Sequence, residues 1–143
     1  MRPVSILIVD DQPRNVVAME AALSKVDCKL VAAHSGRDAL KCLLAQDFAV
    51  ILLDVHMPEM GGFETASLIR LRERSRSTPI IFLTADDRTG ARVREGYQLG
   101  AVDYIYKPFD PDILRAKVAV FVELFRKTVA LEQRTAEDRK SVV

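Results

Sequence analysis

Adjacent aspartates, Asp10 and Asp11, close the apolar run VSILIVD (4–10), and a third, Asp54, closes FAVILLD (48–54). Two more polar groups sit at the ends of similar runs: Thr84 in PIIFLTA (79–85) and Lys107 directly after AVDYIY (101–106). Carboxylates brought together repel one another and raise their own pKa values unless a cation joins them. Oxygen ligands with no histidine or thiolate among them suit a hard ion, Mg²⁺ first and Mn²⁺ second. Magnesium keeps several waters and takes one or two carboxylates plus a phosphate oxygen, which points to phosphoryl chemistry. Asp54 is then the candidate nucleophile, since carboxylates accept phosphoryl groups as acyl phosphates. Lys107, fixed in front of Pro108, would neutralise phosphoryl oxygens, and the Thr84 hydroxyl would donate to another.

For these groups to meet, the runs that carry them must be parallel strands. Five short apolar runs, the four above and CKLVAA (28–33), have the length and β-branched content of strands covered on both faces. Between them lie helical spacings: Val16, Met19 or Glu20, Leu23 and Val26 mark one helix, Ala39, Leu40, Leu43 and Leu44 another. Ser35 with Asp38 three residues later resembles a capping box. Pro13 suits a first helical turn, as does Pro111 after Asp110. Strands alternating with helices imply right-handed crossovers and a helix–sheet–helix sandwich, with ligands at the carboxyl ends of the strands. The segment 87–99 has the weakest apolar pattern. Ile113, Leu114, Val118, Phe121, Val122 and Phe125 can cover the sheet from a last helix, after which the chain turns polar. We therefore expect one domain over 1–125 and a helical extension or linker over 126–143, with no separate output domain. Leu124, Thr128, Leu131, Thr135, Asp138 and Val142 follow coiled-coil spacing, but half of these positions are polar, so a solvated helix is preferred.

Composition excludes several classes. The chain has 143 residues, 49% apolar and 29% charged, with a net charge of +1, so no global field favours nucleic acid or an anionic membrane. No apolar run reaches the ~20 residues that span a bilayer, and no secretory signal opens the chain. The cytoplasm is the expected compartment, and Cys28 and Cys42 read as reduced, buried thiols. The densest basic run, RLRERSRST (70–78), reads as a solvated helix end, because it lacks the interleaved aromatics of a nucleic-acid site.

Four segments in order, ILIVDDQ (6–12), ILLDVHMPEMGGFE (51–64), IIFLTA (80–85) and GAVDYIYKPFD (100–110), resemble the receiver domain of bacterial response regulators, the chemotaxis-regulator type. The resemblance covers residues 4 to about 125. It implies a three-layer, flavodoxin-like (βα)5 sandwich with a parallel sheet in the order 2-1-3-4-5. It further implies that Asp54 receives a phosphoryl group from a sensor histidine kinase or a phosphotransfer protein. Asp11 and Asp54 would bind Mg²⁺ by side chain, Asp10 directly or through water, and His56 by its backbone carbonyl. Thr84 and Lys107 would contact the phosphoryl oxygens, Tyr104 matches the family's aromatic switch, and the Lys107–Pro108 bond would be cis. Gly61 and Gly62 sit where a positive φ is expected to be needed. His56 and Asp86, at positions that vary in the family, are expected to tune the lifetime of the acyl phosphate by controlling attacking water. The face from strand 4 to helix 5 would be the readout surface, for a partner or, with the C-terminal helix, for a homodimer. The role implied is a regulatory switch and not an enzyme, and direct binding to nucleic acid is not expected.

Other readings stay open at this level. A haloacid-dehalogenase-type phosphatase also uses an aspartate nucleophile with Mg²⁺, but it wants D-x-D after its first strand, where this chain has adjacent acids. A flavodoxin-like nucleotide binder wants a Gly/Ser/Thr-rich anion loop where DDQPRN stands. A pseudo-receiver and a receiver cut from a hybrid sensor kinase remain further alternatives.

Overall fold

The five short apolar runs form five parallel strands whose successive side chains enter cores on opposite faces. The computed structural model describes residues 3–85 and 90–141. The strands are β1 (Ser5–Val9), β2 (Lys29–Ala33), β3 (Val50–Asp54), β4 (Ile80–Thr84) and β5 (Ala101–Tyr106). The helices are α1 (Pro13–Ala22), α2 (Gly36–Ala45), α3 (Gly62–Leu71), α4 (Gly90–Gln98) and α5 (Pro111–Ser141). All pairings are parallel and the order is β2-β1-β3-β4-β5, as the resemblance implied.

Adjacent residues on one strand serve opposite layers. Ile6 and Ile8 join Val16 and Met19 of α1 and Leu114, Val118 and Val122 of α5. Leu7 and Val9 join Ala39, Leu40 and Leu43 of α2 and Ala66 and Ile69 of α3. β1, β3 and β4 are buried along their whole length, whereas β2, at the sheet edge, is only partly covered.

The helix starts follow the local chemistry. Ser35 accepts the Asp38 N–H at 3.0 Å, and Pro13 occupies the first turn of α1. Asp110 accepts the Asp112 N–H at 2.8 Å ahead of α5. That helix is continuous for 31 residues, about 46 Å. Its inward positions pack down to Phe125, while Leu124 on the outer side and Leu131 farther along are exposed. The last helix therefore runs unbroken through the position where the domain was expected to end.

Two expectations need correcting. Cys28 lies one residue before β2 and Cys42 within α2, both free but only half-buried. Burial still pushes both thiols up from the usual value. The basic run is not simply a solvated face. Arg70 donates to the carbonyls of Leu99 (2.8 Å), Gly100 (3.1 Å), Thr78 (2.7 Å), Arg76 (3.0 Å) and Ser75 (3.4 Å). Arg72 donates to the Leu40 carbonyl at 2.9 Å, and Arg74 to the Leu44 carbonyl at 2.9 Å and to Asp47 at 2.8 Å. These guanidinium groups tie helix ends and loops together at the amino edge of the sheet.

Candidate functional site

Parallel strands deliver their last residues to one edge, and the sheet order reverses between β1 and β3. Asp10 follows β1, Asp54 ends β3, Thr84 ends β4, and Lys107 follows β5. The ladder extends into this edge: Val55 N–H donates to the Leu83 carbonyl at 2.9 Å and Lys107 N–H to the Thr84 carbonyl at 2.8 Å. The lysine backbone is thus pinned beside the threonine, and the Lys107–Pro108 bond is cis, as expected.

One oxygen from each of Asp10, Asp11 and Asp54 lies within 4.8 Å of the others. Lys107 Nζ is 3.0 Å from Asp10 Oδ2 and 3.4 Å from Asp54 Oδ1. Asp10 is fully buried, Asp54 and Thr84 are buried, and Asp11 is half-buried. Three carboxylates against one ammonium leave two negative charges, the complement of a divalent cation. The all-oxygen donor set fits Mg²⁺ or Mn²⁺.

The carboxylates are not equivalent. Asp10 Oδ1 accepts the Gln12 backbone N–H at 2.9 Å and Asn15 Nδ2 at 3.3 Å, while Oδ2 faces Lys107. Asp54 Oδ1 accepts the His56 backbone N–H at 3.4 Å. Among the described residues the Asp11 carboxylate has no hydrogen-bond or ion-pair partner. Burial pushes the Asp54 carboxyl above the usual carboxylate range, Lys107 pulls it back, and the Asp10 charge adds to the rise. A cation in the pocket would favour the ionised, nucleophilic form.

The loop after Asp54 departs from expectation. Positive φ falls on Glu59 (67°), whereas Gly61 has φ −72°. Gly62 is required for another reason: a Cβ there would lie 2.3 Å from the Asp54 carbonyl oxygen and 2.8 Å from Val55 Cα. Glycine thus lets α3 start directly against the end of β3, and Gly62 N–H donates to the Val55 carbonyl at 2.9 Å. The His56 side chain is exposed at this edge, while Asp86 lies outside the described residues.

Tyr104 pairs with Phe82 in the β4–β5 register, two residues from Thr84. Its ring is buried, inside a tier with Phe82 (centroids 5.5 Å), Tyr97 (5.6 Å) and Tyr106 (6.5 Å). Its hydroxyl donates to the Val93 carbonyl at 3.3 Å. Burial pushes this phenol up to about 12. Room for the ring exists because residue 96 is glycine: a Cβ there would lie 1.8 Å from the Tyr104 hydroxyl.

The structure therefore brings together Asp10, Asp11, Asp54 and Lys107 at one edge, with Thr84 and His56 on the same edge. Sequence reasoning missed Gln12 and Asn15, which hold Asp10, and Gly96, which accommodates Tyr104. For Asn15 a signal was present: an amide five residues after Asp10, in the first turn of a helix that Pro13 opens.

Residues 6–119 match the family profile described as response regulator receiver domain. A Vibrio cholerae protein named probable cyclic di-GMP phosphodiesterase is 36% identical over 130 residues, 90% of this chain and 29% of the relative. The transcriptional regulatory protein SrrA of Staphylococcus aureus is 41% identical over 114 residues, 78% of this chain and 46% of the relative. The chain thus spans less than half the length of either curated relative. Among solved structures, the Vibrio cholerae chemotaxis protein CheY4 superposes with a TM-score of 0.77 at 31% identity, covering 82% of this chain and 97% of that one.

Proposed function

The chain belongs to the response regulator receiver domain family of two-component signalling, and from that premise we propose that it is a Mg²⁺-dependent phospho-acceptor switch with Asp54 as the acceptor. The observation that carries this reading is the meeting of Asp10, Asp11 and Asp54 within 4.8 Å, with the Lys107 ammonium between Asp10 and Asp54.

Asp10, Asp11, Asp54 and the His56 backbone carbonyl would hold the cation. When bound, Mg²⁺ supplies charge neutralisation to the transferring phosphoryl group. Asp54 attacks phosphorus through a carboxylate oxygen. The P–N bond of a phosphohistidine, or the P–O bond of a small acyl phosphate, breaks, and its electron pair leaves with the donor. Lys107 already lies 3.4 Å from Asp54 Oδ1, so a short movement away from Asp10 carries its charge onto the new phosphoryl oxygens. The Thr84 hydroxyl at the adjacent strand end would donate to another oxygen. Drawing Thr84 toward that group would alter the space beside Phe82 and Tyr104, and this links the acceptor to the β4–α4–β5–α5 face as a readout surface.

A sensor histidine kinase or phosphotransfer protein is the proposed donor, and an attached output domain or a separate partner the receiver of the signal. The long α5 would serve as the connector, or with the readout face as a homodimer contact. His56, exposed beside Asp54, is the described half of the proposed pair that tunes acyl-phosphate lifetime; unchanged lifetimes in His56→Asn and Asp86→Ala would remove that role. The central test is incubation with acetyl phosphate and Mg²⁺, read by intact mass. One base-labile phosphoryl group per chain, absent in Asp54→Ala and without Mg²⁺, is expected. Continuous release of phosphate from many phosphomonoesters would instead favour a phosphatase.

A further inference from the structure

Asp10 is the one member of the acidic cluster whose two carboxylate oxygens are both committed, and they are committed to different kinds of donor. Oδ2 faces the cation pocket through Lys107 at 3.0 Å. Oδ1 faces away and takes two donors from the start of α1, the Gln12 backbone N–H at 2.9 Å and the Asn15 amide at 3.3 Å. The amide is itself oriented: Asn15 Nδ2 also lies 3.4 Å from Gln12 Oε1, so a flip would set the Asn15 carbonyl against two acceptors. The Asn15 backbone N–H is tied to the Gln12 carbonyl at 3.1 Å, which fixes the turn carrying that side chain.

We propose that Asn15 is a positioning residue: its amide fixes the rotation of the Asp10 carboxylate, so that Oδ2 alone is presented to the cation and to Lys107. This rests on the reading that the acidic cluster binds a divalent cation. A carboxylate with one donor on Oδ1 can swing its plane and divide Lys107 between its oxygens; a second donor on the same oxygen, from a different direction, removes that freedom. Asp10 is wholly buried, so no bulk water replaces a lost donor readily. Were Lys107 to shift to phosphoryl oxygens, Oδ1 would keep its partners and Oδ2 would stay directed at the cation. The ligand is then preorganised through the whole reaction. Hydrogen bonds behind a ligating carboxylate commonly alter metal affinity by about 10–100-fold. Asn15 supplies one of two such donors on Oδ1, which places it at the lower end.

The test is direct Mg²⁺ titration of the unphosphorylated chain by calorimetry, in the parent, Asn15→Leu and Asn15→His. Leucine removes the donor at similar volume, and histidine can offer an N–H in nearly the same place. The expected result is Mg²⁺ binding weakened roughly tenfold in Asn15→Leu and largely restored in Asn15→His. At saturating Mg²⁺ the rate of phosphorylation by acetyl phosphate should return close to the parent's, a split that general loss of structure does not produce. Should Asn15→Leu fail to fold, Asn15→Ala takes its place. Affinity within twofold of the parent, or tighter, overturns the proposal, as does a histidine variant as weak as the leucine one. A parent that takes up no Mg²⁺ overturns the cation reading itself and this inference with it, whereas an effect confined to the variants' affinity bears on Asn15 alone.

Discussion

Replacing Arg70 by methionine removes the donor shared by five backbone carbonyls from two loops, 75–78 and 99–100. Three of these bonds, to Thr78, Leu99 and Arg76, are 3.0 Å or shorter. Hydrogen bonds to charged groups contribute about 1.5–3 kcal/mol each when buried, but Arg70 is only half-buried and its bonds share one guanidinium. Burial lowers its pKa from the usual value while leaving it charged. Water can reach part of what methionine exposes, so we take the equivalent of one to two bonds at about 2 kcal/mol each, a loss of about 2–4 kcal/mol. Equilibrium urea unfolding followed by far-ultraviolet circular dichroism measures this directly. Arg70→Lys should recover less than half, because a single ammonium cannot span both loops as the planar fork does. The clasp lies at the amino edge of the sheet, away from Asp54, so phosphoryl incorporation well below the unfolding midpoint should match the parent. A loss under about 0.5 kcal/mol, the ordinary range for a surface substitution, would refute the reasoning.

Alkaline titration followed by tyrosinate absorbance should show a phenol ionising at about 12, absent in Tyr104→Phe. Because the folded phenol titrates above its unfolded value of about 10, the folded state holds its proton longer, and the associated stability is lost as pH rises from about 10 to 12. Tyr104→Phe should therefore lose stability less steeply than the parent over that window; parallel curves would contradict the assignment. Gly96→Ala puts a Cβ 1.8 Å from the Tyr104 hydroxyl and 2.7 Å from its Cζ, so the ring must leave its slot. Tyrosine ring resonances in NMR spectra should report the move, and an unchanged Tyr104 environment would count against it. Gly62→Ala, with its Cβ 2.3 Å from the Asp54 carbonyl oxygen, should cost about 1–3 kcal/mol in thermal or urea unfolding and depress phosphoryl acceptance. A variant as stable as the parent would mean that the α3 start relaxes freely.

The sequence by itself determined the strands, because a run buried on both faces must be continuously apolar, and it placed acids and a lysine where those runs stop. It also determined the Ser35 cap and the proline starts of α1 and α5, which depend on neighbours a few residues apart. Local chemistry misled where a glycine or a charge served a distant segment. Gly62 is needed for close approach to β3, while the positive φ went to Glu59. The arginines of 70–74 looked solvated, yet their partners lie 27–32 residues away in several cases. Only the tertiary structure decided which oxygen of Asp10 faces Lys107, 97 residues distant, and that Asn15 holds the other. Composition and period specify how much of a segment is buried; the pairing of individual polar atoms waits on the packing of separate elements, because hydrogen bonds act only over about 3 Å and in fixed directions.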